Sequence, residues 1–202
     1  MSALLYKAAT PTSASPRQAH AVFFRAIVAF LEERGLTARV RERVSEPTRW
    51  VIDRPPWIGR WIPSLPVDEI ESVLFEIGGA QLNVSLGRFA AEQMVHKRLT
   101  PVVNALFAVL GRSPESLFRN LNLCFSLATR GISFAYVAGG SDGKHVVAHF
   151  CGQGTPEAAW HALRGALMHA FVISGTRGAV GEPVRVTETE QGVTVRYPVT
   201  LG

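Results

Sequence analysis

The chain has 202 residues, 47% of them hydrophobic, 9% aromatic and 18% charged, with 18 glycines and 12 prolines. That composition excludes a disordered or fibrous protein, and the length suffices to bury a core without a disulfide or metal staple. The net charge of +5 comes from dispersed basic residues, not from the clustered stripe that phosphate binding needs, which argues against a nucleic-acid partner.

Residues 1–14 read as a flexible leader of Thr, Ser, Pro and Ala without the apolar run of a signal peptide. Ser15-Pro16, a cap followed by proline at the first helical position, predicts a helix to Gly35 that lays Ala19, Val22, Phe23, Ala26, Ile27, Phe30 and Leu31 on one face. Between Thr37 and Ile52, Arg39, Arg41, Arg43 and Arg49 fall among Val40, Val44, Trp50 and Val51, an alternation that predicts one or two short strands. The segment Asp53 to Pro66 carries four prolines, so it is expected to be a loop.

Helical spacing resumes at Val67 with Ile70, Val73, Leu74 and Ile77, and Gly78-Gly79 marks a break. Further helices are expected over Ala80 to His96, with Leu82, Leu86, Phe89 and Ala90 inward, and over Thr100 to Leu110, where Gly111 stops the pattern. Ser113-Pro114-Glu115 opens a short helix through Leu117, Phe118 and Leu121.

After Gly131 the apolar period changes to two, with Ile132, Phe134 and Tyr136, then Val146, Ala148 and Phe150 across GGSDGK, a β-hairpin. Thr155-Pro156-Glu157 caps a helix to Ser174 that buries Trp160, Leu163, Leu167 and Phe171. A second hairpin joins Pro183 to Glu188 with Val193 to Thr200. The pattern predicts an α+β fold: a four-stranded antiparallel sheet, ordered hairpin, helix, hairpin, covered by a helical N-terminal half. With no charged or Gly/Ser-rich linker, residues 15–202 read as one domain, helix-rich over 15–130 and sheet-rich over 131–202.

Cys124 and Cys151 form no CxxC or zinc spacing. A reducing, cytoplasmic location is the expectation, and no apolar stretch approaches the ~20 residues of a membrane span. Of the six histidines, His145 and His149 share a strand face about 13 Å apart, and His161 and His169 lie two turns apart on a helix, so neither pair chelates a metal. Structural or solvated roles suit all six, beside a reading in which His149 or His169 ligates haem. No HExxH, GxSxG, Rossmann or Walker pattern is present, so no catalytic and no metal-binding residue is assigned and the enzyme reading is the weakest.

Trp50, Trp57 and Trp61 alternate with Arg49, Arg54 and Arg60. These tryptophans suit a loop clamped over the core, a lid over a small-molecule pocket, or a contact with a protein or membrane surface. The stretch LTPVVNALFAVLGRSPESLFRNLN, with Gly111, Pro114 and Arg119-Asn120, followed by hairpin, helix and hairpin, resembles an uncharacterised family of myxobacterial proteins. That family in turn resembles the 4-vinyl reductase domain and haem nitric-oxide-binding-like sensor domains, which are small-ligand sensors that often dimerise. The chain lacks the clustered cysteines of zinc-binding 4-vinyl reductase members and the Tyr-x-Ser-x-Arg motif of the gas sensors. The resemblance therefore implies architecture and a binding role, and names no cofactor.

The leading expectation is a non-catalytic small-molecule-binding or sensor domain with an apolar pocket for a hydrophobic or aromatic ligand. Candidate ligand contacts are Trp57, Trp61, Phe89, Arg119, Phe134 and His149. The alternative is a protein-interaction module, a homodimer or a docking site for a regulatory partner, that holds no ligand.

Overall fold

Two hydrophobic cores, one between helices and one against a sheet, meet along a single helix crossing in the computed structural model, which describes residues 17–96, 100–139 and 143–202. The expected leader lies outside these residues.

The first core begins at β1 (Gln18–His20), a short strand leading into α1 (Ala21–Glu33). The helix thus starts later than its sequence signal. Gln18 to His20 pair on both sides with other strands, which holds the backbone extended, and the His20 ring replaces the expected cap by accepting a hydrogen bond from the Val22 N–H at 3.2 Å. Ser15 and the adjoining proline fall outside the described residues.

The strands expected over Thr37 to Ile52 are instead two helices, α2 (Thr37–Arg41) and α3 (Glu46–Asp53). Val40, Val44, Thr48 and Ile52 recur every fourth residue and are all buried, so the helical stripe wins over the alternation of the arginines around it. The proline-rich segment is a loop closed by β2 (Trp61–Pro63) at the edge of a three-stranded sheet, where a proline costs no ladder bond. Its third strand, β3 (Thr129–Arg130), lies on the other side of β1.

Helix α4 (Leu65–Met94) bends at Gly79, whose φ of 64° is open to glycine at little cost. Its N-terminal arm closes the first core over α1, α2 and α3. Asn83 ties the arms together by donating from Nδ2 to the Glu71 carbonyl at 3.1 Å. Then come α5 (Thr100–Leu110), α6 (Pro114–Arg119) and α7 (Leu121–Phe125), the last two separated where Asn120 leaves helical geometry.

The second core lies under the sheet. Strands β4 (Ile132–Val137) and β5 (His145–Cys151) form the first hairpin, and β7 (Val184–Thr189) and β8 (Gly192–Leu201) the second. All four expected strands are present and antiparallel, and β5 pairs with β8 to join the hairpins. A fifth strand, β6 (Gly178–Val180), pairs with residues 199–201 of β8, beyond the stretch taken by β7. Alternate residues Val146, Ala148 and Phe150 of β5 and Val193, Val195, Tyr197 and Val199 of β8 face inward. They pack on Leu163, Leu167, Ala170 and Phe171 of α8 (Glu157–Ser174), which ends at Gly175 in the left-handed conformation.

The cores meet where α4 crosses α8. A Cβ on Gly87 would lie 1.7 Å from the Ala162 carbonyl oxygen, and one on Gly165 2.0 Å from that of Val84. Only hydrogen fits at either position, which lets the two backbones touch.

Candidate functional site

Two cavities lie beside this crossing. The first, about 70 Å³, is walled by Ala19, Phe23, Val67, Leu86, Ala90, Ile132, Phe150, Ala162 and Leu163, with Arg17, Asp68 and Glu71 at its polar end. The second, about 80 Å³, is walled by Met94, Val103, Leu117, Leu121, Ala128, Leu167 and Ile173, with Cys124 and His169 among them. They share Phe23, Phe125 and Ala166 as walls.

The polar end of the first cavity follows from the start of α4. Asp68 and Glu71 are one turn apart, so both project from the same side of the helix. Arg17, just before β1, grips Asp68 with both terminal nitrogens at 3.1 and 2.7 Å, and the Ser64 hydroxyl donates to the same carboxylate at 3.0 Å. Burial nevertheless outweighs these partners and raises the Asp68 pKa. Glu71, only 4% exposed, has no such partner: among the described residues no hydrogen bond or salt bridge reaches its carboxyl. Burial, helped by the Asp68 charge and opposed by Arg17, pushes its pKa up to about 8, so the group is largely neutral at pH 7. Tyr197 is near enough for the Glu71 charge to raise its pKa further, burial being the larger cause, and its hydroxyl donates to the Trp160 carbonyl at 3.2 Å.

In the second cavity His169 is held below its ordinary pKa, chiefly by burial, with Arg88 and His96 adding to the shift and Glu92 opposing it. Burial pushes the Cys124 thiol up, so it stays protonated at neutral pH.

The six side chains expected at a binding site are placed apart, and none of them is a wall of either cavity. Trp57 is 82% exposed on its loop. That loop is held by Arg25, which donates to the carbonyls of Pro55 and Pro56. Trp61 is packed under the Arg130 guanidinium, 4.1 Å from its ring centre, and against the edge of His20. Phe89 packs on Phe30 in the first core, with ring centres 5.6 Å apart, and Phe134 on Phe125 at 4.6 Å in the second. Arg119 is exposed over Tyr136, and His149 meets the Thr194 hydroxyl at 3.1 Å on the outer face of the sheet.

The cavity residues that the sequence reading missed are Arg17, Asp68, Glu71 and Phe125. One signal was there: Val67, Ile70, Glu71 and Leu74 form an apolar helical stripe with a carboxylate inside it. Among the described residues no three His, Cys, Asp or Glu side chains gather as a metal site, and no helix is long and apolar enough to cross a membrane.

No protein-family model matches the chain, and no curated protein does. Solved structures do. An Fe(II) unliganded H-NOX protein mutant from K. algicida superposes with a TM-score of 0.63 at 10% identity, over 91% of this chain and 96% of that one. A second H-NOX structure, solved to probe haem distortion, gives 0.62 at 13% identity over 90% and 94%. An oxygen-binding H-NOX domain related to soluble guanylate cyclases, in its oxygen complex, gives 0.57 at 13% over 89% and 94%. At such identities the likeness is one of architecture. The chain has an α+β fold similar to that of H-NOX domains.

Proposed function

We propose that the protein is a non-catalytic sensor or carrier domain that binds a small, mainly apolar molecule in the paired cavities beside the crossing of α4 and α8. The observation that carries this reading is a pair of apolar cavities sharing Phe23, Phe125 and Ala166 at the contact of α4 with α8. A single apolar cavity of roughly 150 Å³ stays dry and takes up benzene or xenon, and the two here hold about 70 and 80 Å³ on either side of Phe23 and Phe125, which limits each to a small molecule.

The similar solved structures are H-NOX proteins, one described as oxygen-binding, so haem is the group to test for fit. The residues here do not fit it. A tetrapyrrole needs a pocket on the order of several hundred Å³, whereas Phe23 and Phe125 divide the space into volumes of about 70 and 80 Å³. Of the two arginines lining the first cavity, Arg17 is already taken by Asp68 and Arg130 stacks on Trp61. His169 is the one imidazole lining either described cavity, and the thiol beside it is protonated.

Titrating the protein with toluene while following methyl NMR signals tests the reading. Shifts confined to Leu163, Leu167, Val103 and Leu121 support it. An absorption spectrum of the native protein with a Soret band overturns the haem-free part, and no methyl response up to toluene saturation overturns the cavity reading. A cytoplasmic location and the kinship with 4-vinyl reductase and myxobacterial proteins belong to the same proposal.

A second reading, self-association or docking of a partner protein, is favoured by Trp50, Trp57 and Ile58, which are 57%, 82% and 62% exposed. Exposed aromatic residues of this kind are enriched at interfaces. Sedimentation of the native protein beside a W50S/W57S variant tests it: a dimer lost in the variant supports association, and a monomer in both overturns the homodimer.

A further inference from the structure

Resting on the cavity reading, we infer that the first cavity selects a small apolar molecule carrying one hydrogen-bond acceptor, a ketone or similar carbonyl, with the Glu71 carboxyl as the donor that reads it. An unmet hydrogen bond marks the site. Arg17 and Asp68 satisfy each other bidentately at the rim, and Ser64 takes a further lone pair of Asp68. Of the other polar side chains on the wall, Arg130 donates to Gln18 and Thr129 to the Phe125 carbonyl, which leaves Glu71, buried and without a hydrogen-bond partner among the described residues. A buried polar group left unpaired costs free energy that a ligand can return.

The neighbourhood decides which ligand. Arg17 and Asp68 cancel in charge, so a neutral Glu71 leaves the cavity neutral. Its carboxyl O–H is then a donor on the wall of a mainly apolar cavity, and its match is an acceptor. An amine would require ionising the carboxyl and burying two charges at once, with a desolvation cost on both. Leu86, Ala90 and Leu163 leave the rest of the ligand in hydrocarbon surroundings.

The test uses cyclohexanone, methylcyclohexane and cyclohexylamine as probes of similar size, titrated by methyl NMR into the wild-type protein, Glu71→Gln and Glu71→Leu, each first checked for a cooperative melt. The expected result is that cyclohexanone binds about tenfold more tightly than methylcyclohexane to the wild type. Glu71→Gln keeps the preference through its amide N–H, and Glu71→Leu abolishes it. Equal binding of ketone and hydrocarbon, unchanged by Glu71→Leu, overturns the inference and leaves the apolar cavity standing. Tightest binding of cyclohexylamine overturns it in favour of an ionised carboxylate. Failure of all three probes in a folded wild-type protein removes the cavity reading, and the inference with it.

Discussion

The two cavities share an aromatic partition but differ in the titratable group each wall holds. The first contains an acid forced toward neutrality, and the second a histidine forced toward neutrality. Both refuse charge for the same reason, the cost of desolvating an ion in an apolar wall. Because one group is an acid and the other a base, the cost appears at opposite ends of the pH scale. This interior thus tolerates polar atoms that stay uncharged or, like Arg17 and Asp68, meet an opposite charge.

The largest effect that can break the comparison is the pH dependence of stability from Glu71. In the folded state its carboxyl holds its proton to about pH 8, facing Asp68, Arg17 and Tyr197, whereas the unfolded chain releases it near the ordinary 4.5. The folded state therefore binds more protons between those values, and stability falls as pH rises through them. At about 1.4 kcal/mol per pH unit the loss reaches roughly 5 kcal/mol. Urea unfolding at pH 5 and pH 8 measures it, and Glu71→Gln is expected to flatten the profile. An identical profile for the variant would mean that Glu71 is already ionised, and the contrast between the cavities would collapse.

Next in size is the crossing that sets both cavities. Gly87→Ala drives a Cβ into the Ala162 carbonyl, and Gly165→Ala one into that of Val84. Both contacts are with backbone, which cannot step aside as a side chain can. Each substitution is expected to cost about 3 kcal/mol, at the upper end of overpacking, read as a lower urea midpoint at unchanged slope. Gly181, which faces only the Pro198 ring at 3.2 Å or more, is the control that should cost much less on substitution by Ala.

How far the sequence foretells these features follows their range of interaction. The hairpins, α8 and α5 are legible because their periodicity is local, and Gly175 closes α8; the expected Thr155 cap is not made, since Pro156 takes the cap position and the Thr155 hydroxyl is buried without a partner among the described residues. The segment from Thr37 to Ile52 misleads because its arginines alternate while its buried residues recur every fourth position, and only the packing of Val40, Val44 and Ile52 on α1 and α4 decides between the two periods. Strand β6 is three residues long and rests on pairing with the far end of β8, which no local pattern encodes. The site was less legible than the fold. Trp57 stands out in the sequence as a large residue but is out in solvent, whereas Arg17 and Asp68 are 51 positions apart and signal nothing until the chain folds. Glu71 alone carried a readable hint, an acid in an apolar stripe.

The partition itself gives a smaller effect. Phe125 is half-buried and packs on Phe134, and it walls both cavities. Phe125→Leu is expected to cost about 1 to 2 kcal/mol while joining the cavities, so that indole, too large for either alone, binds the variant more tightly than the wild type in a fluorescence or NMR titration. Unchanged indole affinity would show that the aromatic ring does not limit the space.

The smallest effect comes from His169 and has the opposite sign to that of Glu71. Its folded-state pKa lies below the ordinary 6.5, so the unfolded chain binds the extra proton first as pH falls. The stability it contributes is complete above 6.5 and is lost as pH drops through the folded-state value. Arg88, Glu92 and His96 face the ring, and Glu92 partly offsets the burial, which keeps this slope shallower than that of Glu71. In a Glu71→Gln background, where the acid no longer masks it, melting temperature should rise between pH 5 and 7, and His169→Gln should remove that rise. If the rise survives the second substitution, the imidazole is not its source, and the second cavity is then indifferent to protons while the first responds to them.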